Sequence, residues 1–113
     1  DILNSSFVKE FIMLQELNTE NFEESIKDGI KIVVFTASWC GYCQMQKPIL
    51  KEIAEQNIWI GEVDSDKNQD LVNKYDIGAF PTFVLFKDGG VLAKFSGYKS
   101  KYDLLNILLD YLK

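Results

Sequence analysis

The apolar positions of this chain change period several times, and each change marks an element. Ile30–Thr36 (IKIVVFT) is a β-branched and aromatic run, the pattern of a strand covered on both faces. Ile58–Val63 (IWIGEV) and Thr82–Lys87 (TFVLFK) read the same way. Asp88-Gly89-Gly90 then turns the chain into Val91–Phe95 with the spacing of a hairpin. Met13–Leu17 is short and partly apolar, a candidate edge strand. Between the strands lie helical patterns. Asn18-Thr19 followed by NFEESIKDG predicts a capped helix with acids in its first turns and Gly29 as its stop. From Cys40 to Gln56, residues Met45, Ile49, Leu50, Ile53 and Ala54 recur at helical spacing, and Pro48 is expected to kink that helix. Asp66–Tyr75 carries Leu71, Val72 and Tyr75 on one side. Ser100–Leu112 is expected to bury a stripe of Tyr102, Leu105, Leu108, Leu109 and Leu112. The order β-α-β-α-β-α-β-β-α predicts an α/β domain of three layers, α/β/α, around a central mixed sheet, its first crossover right-handed.

With 113 residues the chain has the size of one domain. The recognisable pattern starts at Met13, the expected native start. Residues 1–12 (DILNSSFVKEFI) are expected to be an N-terminal extension or tag remnant, with a short amphipathic spacing, and 13–113 the domain proper. No apolar run approaches the about 20 residues that cross a bilayer. Net charge is −5, from 17 acids against 12 lysines, with neither arginine nor histidine. A nucleic-acid surface would want a basic face and guanidinium forks, so that class is set aside. Cys–His and Ser–His nucleophile pairs are excluded, as are His-ligated metal sites.

What chemistry remains gathers at Trp39-Cys40-Gly41-Tyr42-Cys43, which follows a buried strand and opens a helix. The first amides of a helix have no partners within it, and the helix dipole places positive charge there. Both favour a thiolate at Cys40. Cys43 comes one turn later on the same side, able to donate to that sulfur and afterwards to attack a mixed disulfide. Gly41 permits close approach of backbone and substrate. A zinc site needs four ligands, and no other Cys or His exists, which leaves only a site shared between chains. A structural disulfide closing so short a loop would constrain the unfolded chain little. No metal and no cofactor are expected.

FTASWCGYC, Pro48, VDSDKN, GAFPTFVLFKDGG and FSGYKS occur in an order that resembles the thioredoxin family from Met13 onward. The resemblance implies the thioredoxin fold and reduction of protein disulfides by Cys40 as nucleophile and Cys43 as resolving thiol. It also implies a cis Phe80–Pro81 bond beside the cysteines, with the backbone of Phe80 pairing with extended substrate. Trp39 and Tyr42 would support the site and Gly97 would lie near it, although Trp39 is equally readable as core packing and Gly97 as a turn glycine. The implied partners are disulfide-containing proteins and a separate reductant protein, either a thioredoxin reductase or a membrane electron donor, because the chain has no flavin or nicotinamide motif. A monomer is expected.

Three departures from the family pattern stand out. The buried acid expected six residues before the first cysteine is Val34 here, and the lysine of the following strand is matched to Ile60. Gly41-Tyr42 replaces the usual Gly-Pro, which predicts a less reducing couple. An isomerase or oxidant of the same fold in an extracytoplasmic compartment therefore stays open, as does a binding module with incidental cysteines. Met13 as a start points to the cytoplasm, whereas Gly41-Tyr42 and the missing acid point outside it.

Overall fold

A computed structural model describes residues 13–112 of the chain; the expected extension at 1–12 lies outside the described residues. The strands are β1 (Leu14–Leu17), β2 (Ile30–Thr36), β3 (Ile60–Asp64), β4 (Thr82–Lys87) and β5 (Gly90–Ser96). The helices are α1 (Phe22–Ile26), α2 (Gly41–Ala54), α3 (Gln69–Lys74) and α4 (Lys101–Leu112). The sheet runs in the order β1-β3-β2-β4-β5. β3 is parallel to both β1 and β2, while β2–β4 and β4–β5 are antiparallel. The sheet is mixed, as the element order requires.

Because side chains alternate across a strand, β2 feeds two cores. Ile32 and Val34 join Leu50 and Ile53 of α2, Leu104 and Leu108 of α4, and Ile60, Phe83 and Leu85 from the other strands. Val33 and Phe35 point the opposite way, into a cluster with Phe22, Ile26, Leu71 and Phe86. There Tyr75 meets Phe86 nearly edge-on, with ring centroids 5.3 Å apart. The hairpin forms as its sequence demands. Asp88 (φ 49°) and Gly89 (φ 87°) both hold the left-handed conformation of a two-residue turn between Lys87 and Gly90.

Four expectations change, the first at Met45, which the helical spacing puts on the apolar face of α2 and which is 55% exposed. The helix predicted over Asp66–Tyr75 is divided into a 3-10 turn, Ser65–Lys67, and α3. Asn68 interrupts it: its amide donates to the Asp64 carbonyl and its side-chain oxygen accepts from Thr19 N, in competition with helical bonding. β3 begins at Ile60, so Ile58 and Trp59 precede it, and Trp59 instead lies beneath the Lys31 ammonium at 5.0 Å. In α4 the buried positions are Leu104 and Leu108, with Leu105 at their edge. Tyr102 is 77% exposed, and Leu109 and Leu112 also face solvent. Two apolar stripes overlap on that helix, and the sheet covers the one centred on Leu104.

Candidate active site

β2 ends at Thr36, and a turn closed by the Cys40 amide donating to the Ala37 carbonyl (3.1 Å) leads into α2. Cys40 is extended (φ −89°, ψ 114°) and occupies the N-cap position. Its sulfur accepts the Cys43 amide at 3.2 Å, in the place where a serine or aspartate oxygen usually caps a helix. The positive end of α2 is thereby aimed at this sulfur. On its other side the Cys40 thiol donates to the Phe80 carbonyl at 3.6 Å. Both cysteines are free thiols, 7% and 6% exposed, grouped with Ala37 and Phe80. Burial, and then the hydrogen bond with Cys40, push the Cys43 thiol up to about 12. The pair is thus divided into a sulfur at a helix start and a thiol one turn further in that holds its proton.

The Phe80–Pro81 bond is cis. Thr82, at the start of β4, donates to the Ala79 carbonyl at 2.6 Å and meets Ser96 Oγ at 2.8 Å, so the loop is tied to β5. Gly97 (φ 98°) donates its amide to the Pro81 carbonyl at 2.8 Å, which makes it a turn glycine and a neighbour of the site together. Trp39 is not core: it is 68% exposed, meets Phe80 edge-on with centroids 5.7 Å apart and donates Nε1–H to Asp66 at 3.3 Å. Tyr42 and Met45 are exposed beside Gly41, where they line a shallow apolar hollow of about 290 Å³. A Cβ on Gly41 would touch nothing, so this rim is open.

Sequence reasoning missed two residues. Gln46 is fully buried on α2, and its amide reaches the backbone of Lys99 through two hydrogen bonds (2.8 and 3.0 Å), which clamp the Gly97 loop to the cysteine helix. A glutamine among the apolar positions of a helix was the available signal. The second is Glu62. In the parallel register Val34 faces Glu62, and Ile60 sits two residues earlier, opposite Ile32. The match to Ile60 is therefore corrected: an acid stands beside Val34. Glu62 lies on the α2 side of the sheet with its carboxylate 3.8 Å from Lys47, and lines a cavity of about 610 Å³ shared with Cys43. Burial first, and Glu16 to a lesser degree, raise its carboxyl above the usual range, against Lys47 and Lys51. Among the described residues no three His, Cys, Asp or Glu are placed to hold a metal ion.

A mixed five-stranded sheet with a free dithiol at a helix start, beside a cis-proline loop, is the make-up of a thiol–disulfide oxidoreductase. Residues 13–110 match the thioredoxin family model. The chain belongs to the thioredoxin family. It is 37% identical over 98 residues to a thioredoxin of Chlamydia pneumoniae, covering 85% of this chain and 96% of that protein. It is 35% identical over 100 residues to a thioredoxin of Staphylococcus haemolyticus, covering 86% and 96%. A solved N21Q mutant thioredoxin from Halobacterium salinarum superposes with a TM-score of 0.81 at 27% identity, over 88% of this chain and 91% of that one. The family makes this chain a protein-disulfide oxidoreductase, with disulfide-containing protein substrates and a reductase as partner.

Proposed function

We propose that Cys40 is the attacking thiol of this reductase and Cys43 the resolving one, with Trp39, Phe80, Pro81 and Gly97 forming the surface on which substrate lies. The supporting observation is the Cys40 sulfur, which accepts the Cys43 amide at the start of α2. The Cys40 thiolate attacks a substrate disulfide; that bond breaks, an S–S bond to Cys40 forms, and the leaving sulfur takes a proton. Cys43 then gives up its own proton and attacks Cys40. The mixed disulfide breaks, the second substrate sulfur leaves as a thiol, and Cys40–Cys43 is left oxidised. Two electrons have passed to substrate, and the reductase partner returns them. The exposed rim of Trp39 and Tyr42 suits an extended peptide laid beside Phe80. We further propose that the chain works as a monomer and that 13–113 is the working domain.

Trapping tests the roles. Cys43→Ser is expected to accumulate a mixed disulfide with insulin, whose intact disulfides Cys40 attacks, that Cys40→Ser does not form. If Cys40→Ser traps equally well, the assignment is reversed. If a double serine variant retains its partners undiminished, the chain acts as a binding module.

A further inference from the structure

Cys43 has to lose a proton before it can attack, and nothing among the residues touching it is assigned to receive that proton. Cys43 lies on the face of α2 that looks across the sheet toward β3. Lys47 is one turn further along the same face, and it reaches the Glu62 carboxylate at 3.8 Å. One turn of helix rises about 5.4 Å, so the ion pair draws the carboxylate to the stretch of α2 that carries the sulfur, and a proton would pass between the two by way of water. Cys43 and Glu62 both line the cavity of about 610 Å³, which also opens past Ser38 and Gln44 and has room for that water. β2 contributes Thr36 to the cavity lining and Val34 opposite Glu62, neither of them an acid, so no carboxylate on that strand competes.

We propose that Glu62 accepts the Cys43 proton, through water in this cavity, as Cys43 attacks the mixed disulfide. This rests on the roles given above for the two cysteines. The groups that face Glu62 are Lys47 and Lys51 from α2, Glu16 directly opposite it on β1, and Asp64 on its own strand. Asp64 is the poorer acceptor because its carboxylate already caps the turn at Asp66 N (3.1 Å), and Glu16 stands exposed at the sheet edge. The lysines keep Glu62 ionised enough to act, while its burial and Glu16 raise its basicity toward that of an effective general base. The balance is simple. The S–H bond of Cys43 breaks, an O–H bond forms at Glu62, the sulfur pair closes the new S–S bond, and the proton later leaves through the open mouth of the cavity or returns when the disulfide is reduced.

The test is rapid-quench kinetics of insulin reduction from pH 4 to 9, reading formation and decay of the Cys40–insulin disulfide separately. In the wild type the decay rate should fall as pH drops and Glu62 becomes protonated. Glu62→Gln should slow decay about a hundredfold near pH 7, the lower end of a general-base contribution. It should abolish that acid limb and leave formation unchanged. Glu62→Asp should be intermediate, and Val34→Asp in the Glu62→Gln background should restore much of the rate, since position 34 faces 62 in the register. Superimposed decay profiles for wild type and Glu62→Gln overturn the proposal, as does an equal slowing of formation and decay at every pH. Absence of any Cys40–insulin disulfide would instead overturn the assignment of the cysteines.

Discussion

Gln46 and Lys99 are joined by a reciprocal pair of hydrogen bonds, amide to carbonyl and carbonyl to amide, between the middle of α2 and the loop that leads into α4. Through that loop the cysteine helix is coupled to Gly97, whose amide holds the Pro81 carbonyl. The two halves of the site, the dithiol and the cis-proline loop, are thus braced by a side chain that never reaches the surface.

Gln46→Ala should destabilise the fold by about 1 kcal/mol or somewhat more, because it removes two hydrogen bonds to the part-buried N–H and C=O of Lys99. The urea midpoint should fall, and the Lys99 amide should exchange with solvent much faster. An unaltered Lys99 exchange rate would count against the brace.

Gly61 faces Leu17 and Trp59 so closely that a Cβ would lie 2.6 Å and 2.8 Å from their side chains. Gly61→Val forces β1 and the Trp59 ring outward and should cost about 1–3 kcal/mol by overpacking. A melt within a degree of the wild type would show that the edge strand yields freely.

With the Cys43 thiol pushed up to about 12, it stays protonated throughout the neutral range. Iodoacetamide should therefore modify reduced protein at Cys40 and leave Cys43 untouched up to pH 9. Peptide mapping reads this directly; equal labelling of both cysteines would contradict it.

Glu62 also affects stability with a definite sign. Its carboxyl is raised in the folded chain, so folding favours the protonated form. That advantage is present below the unfolded value of 4.5 and is lost as pH rises through the folded one. Glu62→Gln should accordingly be more resistant to urea than the wild type at pH 8, and the difference should shrink toward zero below pH 4.5. A gap that widens on acidification would reverse the sign.

Gly41-Tyr42 between the cysteines predicts a couple less reducing than about −270 mV, the thioredoxin value. Equilibration with glutathione measures it, and a potential at or below that value would be the contrary result.

Much of this molecule was legible in the order of its residues. The β-branched runs, the Asp88-Gly89 turn and the cysteine pair at a strand–helix junction are local features, each governed by neighbours a few positions away. They were enough to name five strands, four helices and the two sulfurs. What local pattern could not settle was which of two apolar stripes of α4 meets the sheet, since Leu104 and Leu109 are equally apolar and only packing against Phe83 and Leu85 selects one. Nor could it show that Glu62, not Ile60, stands beside Val34. That fact depends on the register between two strands separated by a whole helix, where a shift of two residues would exchange an acid for an isoleucine on the same face. Gln46 finding the backbone of Lys99 across 53 positions is of the same kind. Sequence determined the elements and the reactive pair, because those follow from short-range sterics and periodicity. The tertiary structure decided which polar side chains surround that pair, because their partners are brought to them only when the sheet and both helix layers close.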